Sequence, residues 1–426
     1  MASFSIPLTG LEADSTALNT IANDLANMNT TAFKAQTTNF ADLFYQQIGS
    51  TGAGDPILEG AGVKVASNET SYTQGSINST GNNTDVALDG NGFFVVGNGQ
   101  GAFELTRAGD FTQLANGNLV TTAGLQVMGY PAVNGVVNTN APLTGISVPV
   151  GQVQEPQATG TFNMTANLDA ASPAGTQFPA QLTVYDSLGE PHVVTVTYTQ
   201  TAPNTWGYSA ALPAGDFTSG VSTPVTGTLT FNSSGNLTTV TLTGGVAETV
   251  GTAPGDVSSV PIAFAGLADN ASNLNMQWNL LGPGGTPTIS QVDTASAVSA
   301  TTQNGYASGQ YQSFTVNSDG TVTVSYSNGQ LQNVGQIALA NVTNLQGLQL
   351  LGDGNYATTL ASGTASISTS GSSGLGTLQD GALEASNVNI SSEFSDLIIA
   401  QRAFEANAKS VTTFDTVTQD TINMVH

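Results

Sequence analysis

The densest group of residues that could carry out chemistry is Asp186, Glu190 and His192. Carboxylates and an imidazole at such close spacing could hold a metal ion. These residues flank a predicted hairpin turn at 186–191, however, and turn side chains usually face water. The favoured interpretation is a polar hairpin tip with a solvent-exposed histidine, and a weak metal site is the alternative.

Little else in the sequence could support catalysis. His192 and His426 are the only histidines, so few side chains are available for histidine-based acid–base catalysis. The chain has no cysteine, so no disulfide can form. The segment GNGQG at 97–101 superficially suggests a phosphate-binding loop, but it follows the strand-like FFVV and precedes no helical pattern. A turn between two strands is expected there instead. The sequence predicts no enzyme, no catalytic residue, no cofactor and no metal centre.

The charge balance excludes several classes of partner. The chain has 5 Lys+Arg against 29 Asp+Glu, a formal net charge of −24. Nucleic acid and anionic membrane surfaces would both repel such a chain. No apolar window is long enough to span a membrane, and residues 1–14 lack the basic and apolar regions of a Sec signal. If the protein is exported, we expect a route that does not read such a signal.

An amphipathic helix is predicted near the N-terminus. The run TGLE at 9–12 fits a capping box, which would start the helix there, and Asn and Thr at 27–31 should end it. The apolar positions follow at spacings of 7, 3, 4 and 3, which is one helical stripe. They are Leu11, Leu18, Ile21, Leu25 and Met28.

A second helix, with a coiled-coil-type seam, is predicted near the C-terminus. One position recurs every 7 residues from Ile390 to Val425, with a second heptad position between. Gln401, Asp415 and Thr418 dilute this seam. Its apolar members are Ile390, Phe394, Leu397, Phe404, Val411, Ile422 and Val425.

The sequence between the helices reads as short alternating strands joined by Asn-Gly, Asp-Gly and Gly-Asn turns. The predicted fold is mainly β with paired terminal α-helices, in a nested multidomain order set by low-complexity boundaries. The expected parts are a coiled-coil-like helical domain (1–35 and 383–426), an extended connector (36–76 and 361–382), an inner β domain (77–150 and 293–360) and an inserted outer β domain (151–292).

The outer faces of the two predicted helices favour self-assembly. Residues 11–31 carry mainly Thr, Asn, Ala and Ser opposite the stripe, rather than the Lys and Glu of a water-facing helix. A thin helix pair would be marginal alone and would gain stability from neighbouring copies. The motif Asn-x-Asn recurs at 27–29 and 387–389, where a predicted helix meets the connector, and Asn suits helix ends.

Four segments resemble the bacterial flagellar rod and hook axial proteins. ALNTIANDLANMNTTAFKAQTTNFADLFYQ (17–46) resembles the N-terminal signature of that family. VALDGNGFFVV (86–96) and LTRAGDFTQLANGNLVTTAGLQVMGYPA (105–132) resemble its shared β domain. LQDGALEASNVNISSEFSDLIIAQRAFEANAKSVTTFDTVTQDTI (378–422) resembles its C-terminal signature. The insertion at 151–292 resembles the outer domain of the hook members, so a distal rod protein is the alternative within the family.

The resemblance implies a structural function. Hook members form a curved tube that lines the export channel and acts as a universal joint between rod and filament. The implied partners are copies of the chain itself, the flagellar rod, the hook cap, the hook–filament junction protein and the flagellar type III export apparatus, with no nucleic acid and no membrane. The implied location is extracellular, in the flagellar hook. A secreted carbohydrate-binding or adhesin-like β protein is the alternative from another class, although paired terminal helices would be surplus to it.

Overall fold

The computed structural model describes residues 5–50, 55–97, 101, 103–242 and 245–424. Over these residues the chain is mainly β with one long helix near each end, which confirms the predicted fold class. Within this described part, no helix is long and apolar enough to cross a membrane.

The chain divides into two compact units. The first comprises Met1–Val150, Ser313–Ser325 and Leu331–His426, and the second, the inserted unit, comprises Gly151–Gln312 and Tyr326–Gln330. The insertion was expected to end at 292. It extends further because the strand at Ala297–Gln303 pairs with the one at Thr161–Asp169 inside the inserted unit.

Helix α1 spans Ser5–Ala26 and helix α2 spans Ile390–Met424. The predicted capping box at 9–12 is wrong, because α1 has already begun at that point. The Thr9 hydroxyl instead donates a 2.7 Å hydrogen bond back to the Ile6 carbonyl, as hydroxyl residues inside helices often do. The end of α1 and the beginning of α2 lie where the sequence predicted them.

The first part of the chain forms short strands. In order they are β1 (Gln36–Asp42), β2 (Tyr45–Ser50), β3 (Pro56–Gly60), β4 (Val63–Thr70), β5 (Ile77–Ser79), β6 (Val86–Asp89), β7 (Phe93–Gly97), β8 (Phe103–Thr106), β9 (Thr112–Gln113), β10 (Leu119–Val120), β11 (Gln126–Val133), β12 (Val136–Val137) and β13 (Thr144–Gly145). β7 and β8 pair antiparallel, so the segment at 97–101 leads from one strand to the next, as predicted. Residues 98–100 of that connection lie outside the described residues.

The inserted unit contains several longer strands among its shorter ones. They are β14 (Val153–Gln154), β15 (Thr161–Asp169), β16 (Gln177–Tyr185), β17 (Pro191–Ala202), β18 (Thr205–Ala211), β19 (Val225–Phe231), β20 (Leu237–Thr241), β21 (Ala247–Thr249), β22 (Ser259–Phe264), β23 (Leu274–Asn279), β24 (Ile289–Val292) and β25 (Ala297–Gln303). One sheet has the order β16-β17-β18-β19-β20-β21, and the other has the order β22-β23-β15-β24 with β25 paired to β15. Inward-facing residues of both sheets, including Trp206, Tyr208 and Trp278, form one apolar core.

Most of the returning chain belongs to the first unit. Its strands are β26 (Gly309–Val316), β27 (Thr321–Tyr326), β28 (Leu331–Asn341), β29 (Gln349–Gly352), β30 (Asn355–Ala357), β31 (Ser366–Thr369), β32 (Thr377–Asp380) and β33 (Ala382–Glu384). β28 lies at the centre of the sheet, in the order β27-β28-β11-β7-β8-β30-β29. Short 3-10 turns occur at Ala214–Asp216, Pro283–Gly285 and Leu345–Gly347.

The two halves of the predicted connector behave differently. In the half at 361–382, β31 pairs with β28 and β32 pairs with β6, so this half belongs to the β fold despite its many Gly and Ser residues. Ser362 there is completely buried and hydrogen-bonded. In the half at 36–76, β1 pairs with β4 and β2 pairs with β3. The expectation of an extended connector is therefore wrong for most of 361–382, because backbone pairing outweighs the flexibility of its composition.

Candidate assembly site and the junction of the chain ends

The helices α1 and α2 pack against each other in antiparallel orientation. Near the start of α1, the Asp14 carboxylate accepts a 2.8 Å hydrogen bond from Asn407. Gly10 lies so close that a Cβ there would be 2.6 Å from Asn407 Nδ2. Near the end of α1, burial raises the pKa of Glu393, and the charge of nearby Asp24 adds to this effect. Glycine at position 10 is therefore part of what lets the two helices approach.

The predicted stripe of α1 is not its most buried face. Leu11, Leu18, Ile21 and Leu25 are only half-buried, and Met28 beyond the helix is exposed. The buried residues of α1 are smaller or polar, namely Pro7, Gly10, Ala13, Thr20 and Asp24.

The predicted seam of α2 is mostly exposed within the subunit. Leu397 and Val411 are half-buried, and Val425 lies outside the described residues. The exposed members of the seam are Ile390, Phe394, Phe404 and Ile422. Of the described residues of α2, only Ala400 is buried.

Gly10 makes a close contact with α2, Thr20 and Asp24 face β1, and large apolar side chains of α2 remain exposed. Ile398 and Ile399 are 58 % and 65 % exposed, which sequence reasoning missed because neither lies on the heptad seam. The available signal was the unbroken apolar run LIIA at 397–400. A helix with apolar residues on several sides needs more than one packing partner.

A buried trio of charges joins the two chain ends to the β fold. Lys34 Nζ lies 2.6 Å from Glu384 Oε1, and Arg107 Nε lies 3.1 Å from Glu384 Oε2. All three side chains are at most 5 % exposed. Lys34 follows α1, Arg107 follows β8, and Glu384 ends β33 before α2. Three distant parts of the sequence thus meet at one carboxylate.

Backbone groups complete the environment of these charges. Lys34 Nζ donates to the Thr73 carbonyl at 2.9 Å, and the Gly75 amide donates to Glu384 Oε1 at 2.9 Å. The Arg107 guanidinium donates to the carbonyls of Gly90 and Gly92. Burial lowers the pKa of both basic groups, while the Glu384 carboxylate acts in the opposite direction. Glu384 is therefore the member on which the other two depend, since removing it leaves two buried positive charges without a counter-charge.

Sequence reasoning missed this trio, although a signal existed. The chain has only five basic residues, so each Lys or Arg outside the helices is a candidate for a buried partner. The sequence alone does not indicate that residues 34, 107 and 384 are in contact, because only the tertiary fold brings them together.

The second Asn-x-Asn motif lies at the same junction. Asn389 Oδ1 accepts hydrogen bonds from the amides of Ser391 and Ser392, so Asn389 caps α2. Asn387 accepts from the Ala35 amide at 2.8 Å and donates to the Ser71 carbonyl at 2.8 Å. Asn389 therefore caps the beginning of α2, and Asn387 fastens the segment before it to the chain that leaves α1.

In the inserted unit, the interpretation of His192 as solvent-exposed is wrong. His192 is only 6 % exposed, and its Nδ1 lies 2.9 Å from Asp216 Oδ2. Its Nε2 lies 3.3 Å from Asp186 Oδ2. Glu190 is exposed, and only its backbone amide contributes, by donating to Asp186 Oδ1 at 2.9 Å. His192 can be buried because its ring nitrogens face two carboxylates, one of which, Asp216, lies outside the turn at 186–191.

Sequence models of flagellar protein families cover most of this architecture. Residues 7–34 match flagella basal body rod proteins, and residues 87–167 match the flagellar hook protein FlgE/F/G D1 domain. Residues 153–306 match the flagellar basal body protein FlaE D2 domain. Residues 379–424 match the C-terminal region of flagellar basal body rod FlgEFG proteins.

Whole-length relatives decide between these families. The chain is 35 % identical to the flagellar hook protein FlgE of Escherichia coli (strain K12), over 99 % of each chain. It is 34 % identical to the flagellar hook protein FlgE of Treponema pallidum (strain Nichols), over 98 % of each chain. The chain belongs to the flagellar hook protein family.

A solved hook-protein structure is similar in fold to this chain. The crystal structure of Helicobacter pylori flagellar hook protein FlgE2 matches with a TM-score of 0.53 at 14 % identity, covering 72 % of this chain and 100 % of that one. The full-length relatives are named as hook proteins, so the hook assignment is shown and the distal rod alternative is not favoured. The chain is accordingly a structural subunit of the hook of the bacterial flagellum, which serves motility.

Proposed function

We propose that this hook subunit polymerises with copies of itself into a curved, flexible tube through the exposed apolar residues of α2 and α1. The observation that carries this proposal is that α2 spans 35 residues yet buries only Ala400 among its described residues. Phe394, Ile398 and Ile399 are all more than half exposed. Burying one such side chain against a neighbouring subunit contributes about 1.5–3 kcal/mol. The free subunit thus presents the apolar surface that a helical polymer requires.

The tube arrangement extends this proposal. α1 and α2 line the export channel, as the resemblance to hook proteins implies. The rod contacts the tube at its proximal end, and the hook cap and junction protein contact its distal end. The subunit reaches that end through the flagellar type III export apparatus without a Sec signal. The protein acts by assembly and not as an enzyme, which agrees with the structural names of its relatives.

We assign the transmission of torque to the junction of the chain ends. Lys34, Arg107 and Glu384 connect the segments beside both helices to the β fold, so load on the helices passes directly into the sheet. Bending strain is taken up between subunits and in the segment 36–76. Within the described residues of that segment, β2 and β3 pair only with each other.

The proposal is tested by polymerising purified subunits and examining them by negative-stain microscopy and sedimentation. We expect Phe394→Asp to prevent tube formation, because it places a charge on a surface that must become buried. The matched control is Asn116→Asp, which adds the same charge at an exposed turn and keeps the oxygen that accepts from the Asn118 amide. Tubes of normal appearance from Phe394→Asp, with helical circular dichroism unchanged, would overturn the assembly site.

A further inference from the structure

The inserted unit gathers carboxylates without the usual counter-charges. Residues 151–312 and 326–330 contain no Lys and no Arg, so His192 is the only side chain of the unit that can carry a positive charge. Asp186, Asp216 and Asp269 nevertheless converge on that one histidine. Carboxylates withdrawn from water are costly unless a positive charge compensates them.

The carboxylate of Asp186 is fixed by its own turn. Asp186 is completely buried, and its Oδ1 accepts hydrogen bonds from the amides of Leu188 and Glu190. Its Oδ2 is thereby aimed at His192 Nε2, at 3.3 Å. The turn between β16 and β17 thus presents one oxygen and one nitrogen to the same point.

A third ligand atom comes from the loop between β22 and β23. Suitable atoms of Asp186, His192 and Asp269 all lie within 4.8 Å of one another. Asp269 Oδ1 accepts from the Ala271 amide at 3.0 Å, and its carboxylate lies against that of Asp186. Burial acts to raise the pKa of Asp186, but the interaction with Asp269 helps to lower it below its ordinary value. A 3.0 Å hydrogen bond from the Ser272 amide to Ser187 Oγ holds the two loops together beside this group.

Asp216 contacts the ring nitrogen of His192 that faces away from Asp186. It lies at the end of the 3-10 turn Ala214–Asp216, with Oδ2 2.9 Å from His192 Nδ1. When Nδ1–H donates to this carboxylate, the lone pair of Nε2 points at Asp186 and Asp269. A carboxylate that orients a histidine in this way is the common support of a metal-bound imidazole.

We propose that Asp186, His192 and Asp269 bind one divalent cation of the Zn²⁺ type, with Asp216 as a positioning residue. One imidazole nitrogen and two carboxylate oxygens suit Zn²⁺, whereas Mg²⁺ prefers oxygen ligands in a strict octahedron. The cation supplies the charge that the unit lacks, and it ties two separate loops together. This site is independent of the polymerisation surface on α1 and α2.

Tryptophan fluorescence gives a direct test on the full-length subunit. The only tryptophans of the chain, Trp206 and Trp278, are completely buried in the core of the inserted unit. After treatment with a chelator, adding ZnCl₂ should raise the denaturant midpoint of the fluorescence transition, because a ligand that binds the native state stabilises it. MgCl₂ at the same concentration should have little effect. An unchanged midpoint with ZnCl₂ would overturn the proposal.

Calorimetry with single substitutions identifies the ligands. Wild-type protein should bind one Zn²⁺ per chain, and so should His426→Gln, which removes the other histidine as a matched control. His192→Gln should abolish binding. Asp269→Asn should weaken binding at least tenfold, because it keeps the oxygen that accepts from Ala271 but loses the charge. Asp269→Asn does not alter the hydrogen bonds within the turn of Asp186. This variant therefore tests the site even if His192→Gln fails to fold. Equal Zn²⁺ affinity in Asp269→Asn and wild-type would refute the assignment.

Discussion

Lys34 Nζ lies 2.6 Å from Glu384 Oε1, although 350 positions separate the two residues in sequence. Both side chains are almost completely buried, and Arg107 lies against the other oxygen of the same carboxylate. The contact joins the segment leaving the first helix to the segment entering the second, so the helices and the β fold of the first unit share one anchoring point.

We expect Glu384→Gln to lower the stability of the first unit strongly. This change leaves Lys34 and Arg107 buried without their counter-charge, which typically costs about 3–5 kcal/mol. We expect the circular dichroism transition of the first unit to shift to lower denaturant. Tryptophan fluorescence, which reports only the inserted unit, should keep its midpoint. Glu12→Gln, at an exposed position of α1, is the control. An unchanged stability of the first unit in Glu384→Gln would contradict the role given to the trio.

Asp24 predicts a pH dependence of the helix junction. It is completely buried and its Oδ2 accepts from the Gln36 amide at 2.8 Å, but burial dominates and raises the pKa above the ordinary 3.8. Glu393 on α2 also has a raised pKa, from burial first and then from Asp24 and Asp396. A raised carboxyl pKa stabilises the fold below the unfolded pKa, and this stability is lost as pH rises through the folded pKa.

Asp24→Asn therefore tests the sign of this effect. The amide oxygen can still accept from Gln36, but the side chain no longer ionises. We expect the variant to lose less stability than wild-type as pH rises from below 3.8 towards neutrality. Denaturant titrations across this range give the comparison. Parallel pH profiles for the two proteins would show that Asp24 is not the responsible group.

The two asparagines of the second motif should differ in effect. Asn387→Ala leaves the Ala35 amide without its 2.8 Å acceptor and the Ser71 carbonyl without its donor, which costs about 1–3 kcal/mol for each buried group left unpaired. Asn389→Ala removes only a helix cap and should cost about 0.5–2 kcal/mol. Hydrogen exchange separates them, since Asn387→Ala should expose the amide of Ala35 while Asn389→Ala should loosen the first turn of α2.

Adjacent positions of α2 should separate helix pairing from assembly. Leu397 is half-buried, whereas Ile398 is 58 % exposed. We expect Leu397→Asp to reduce both subunit stability and polymerisation, and Ile398→Asp to reduce polymerisation alone. Thermal unfolding and sedimentation of the two variants provide the measurements. Normal polymerisation of Ile398→Asp would limit the proposed interface to the predicted seam.

The sequence predicted the elements better than their contacts. Heptad spacing located α2 almost to the residue, because periodicity is a local property. It could not show that Phe394 and Phe404 face outwards, because that depends on how closely Gly10 and Asn407 approach. The Gly- and Ser-rich run at 360–376 suggested a flexible linker, yet β31 within it pairs with β28. His192 was misjudged for a similar reason, since Asp216 and Asp269 approach it from distant loops.

The charged junction also sets an order of events. Lys34 and Arg107 precede Glu384 by hundreds of residues. Any process that delivers the chain from its N-terminus therefore delivers the two positive side chains well before the carboxylate with which they pair. Their ion pairs with Glu384 can form only once the strand that carries this residue is present. A chain interrupted before that strand lacks Glu384, so Lys34 and Arg107 would have no common carboxylate to hold the chain ends together.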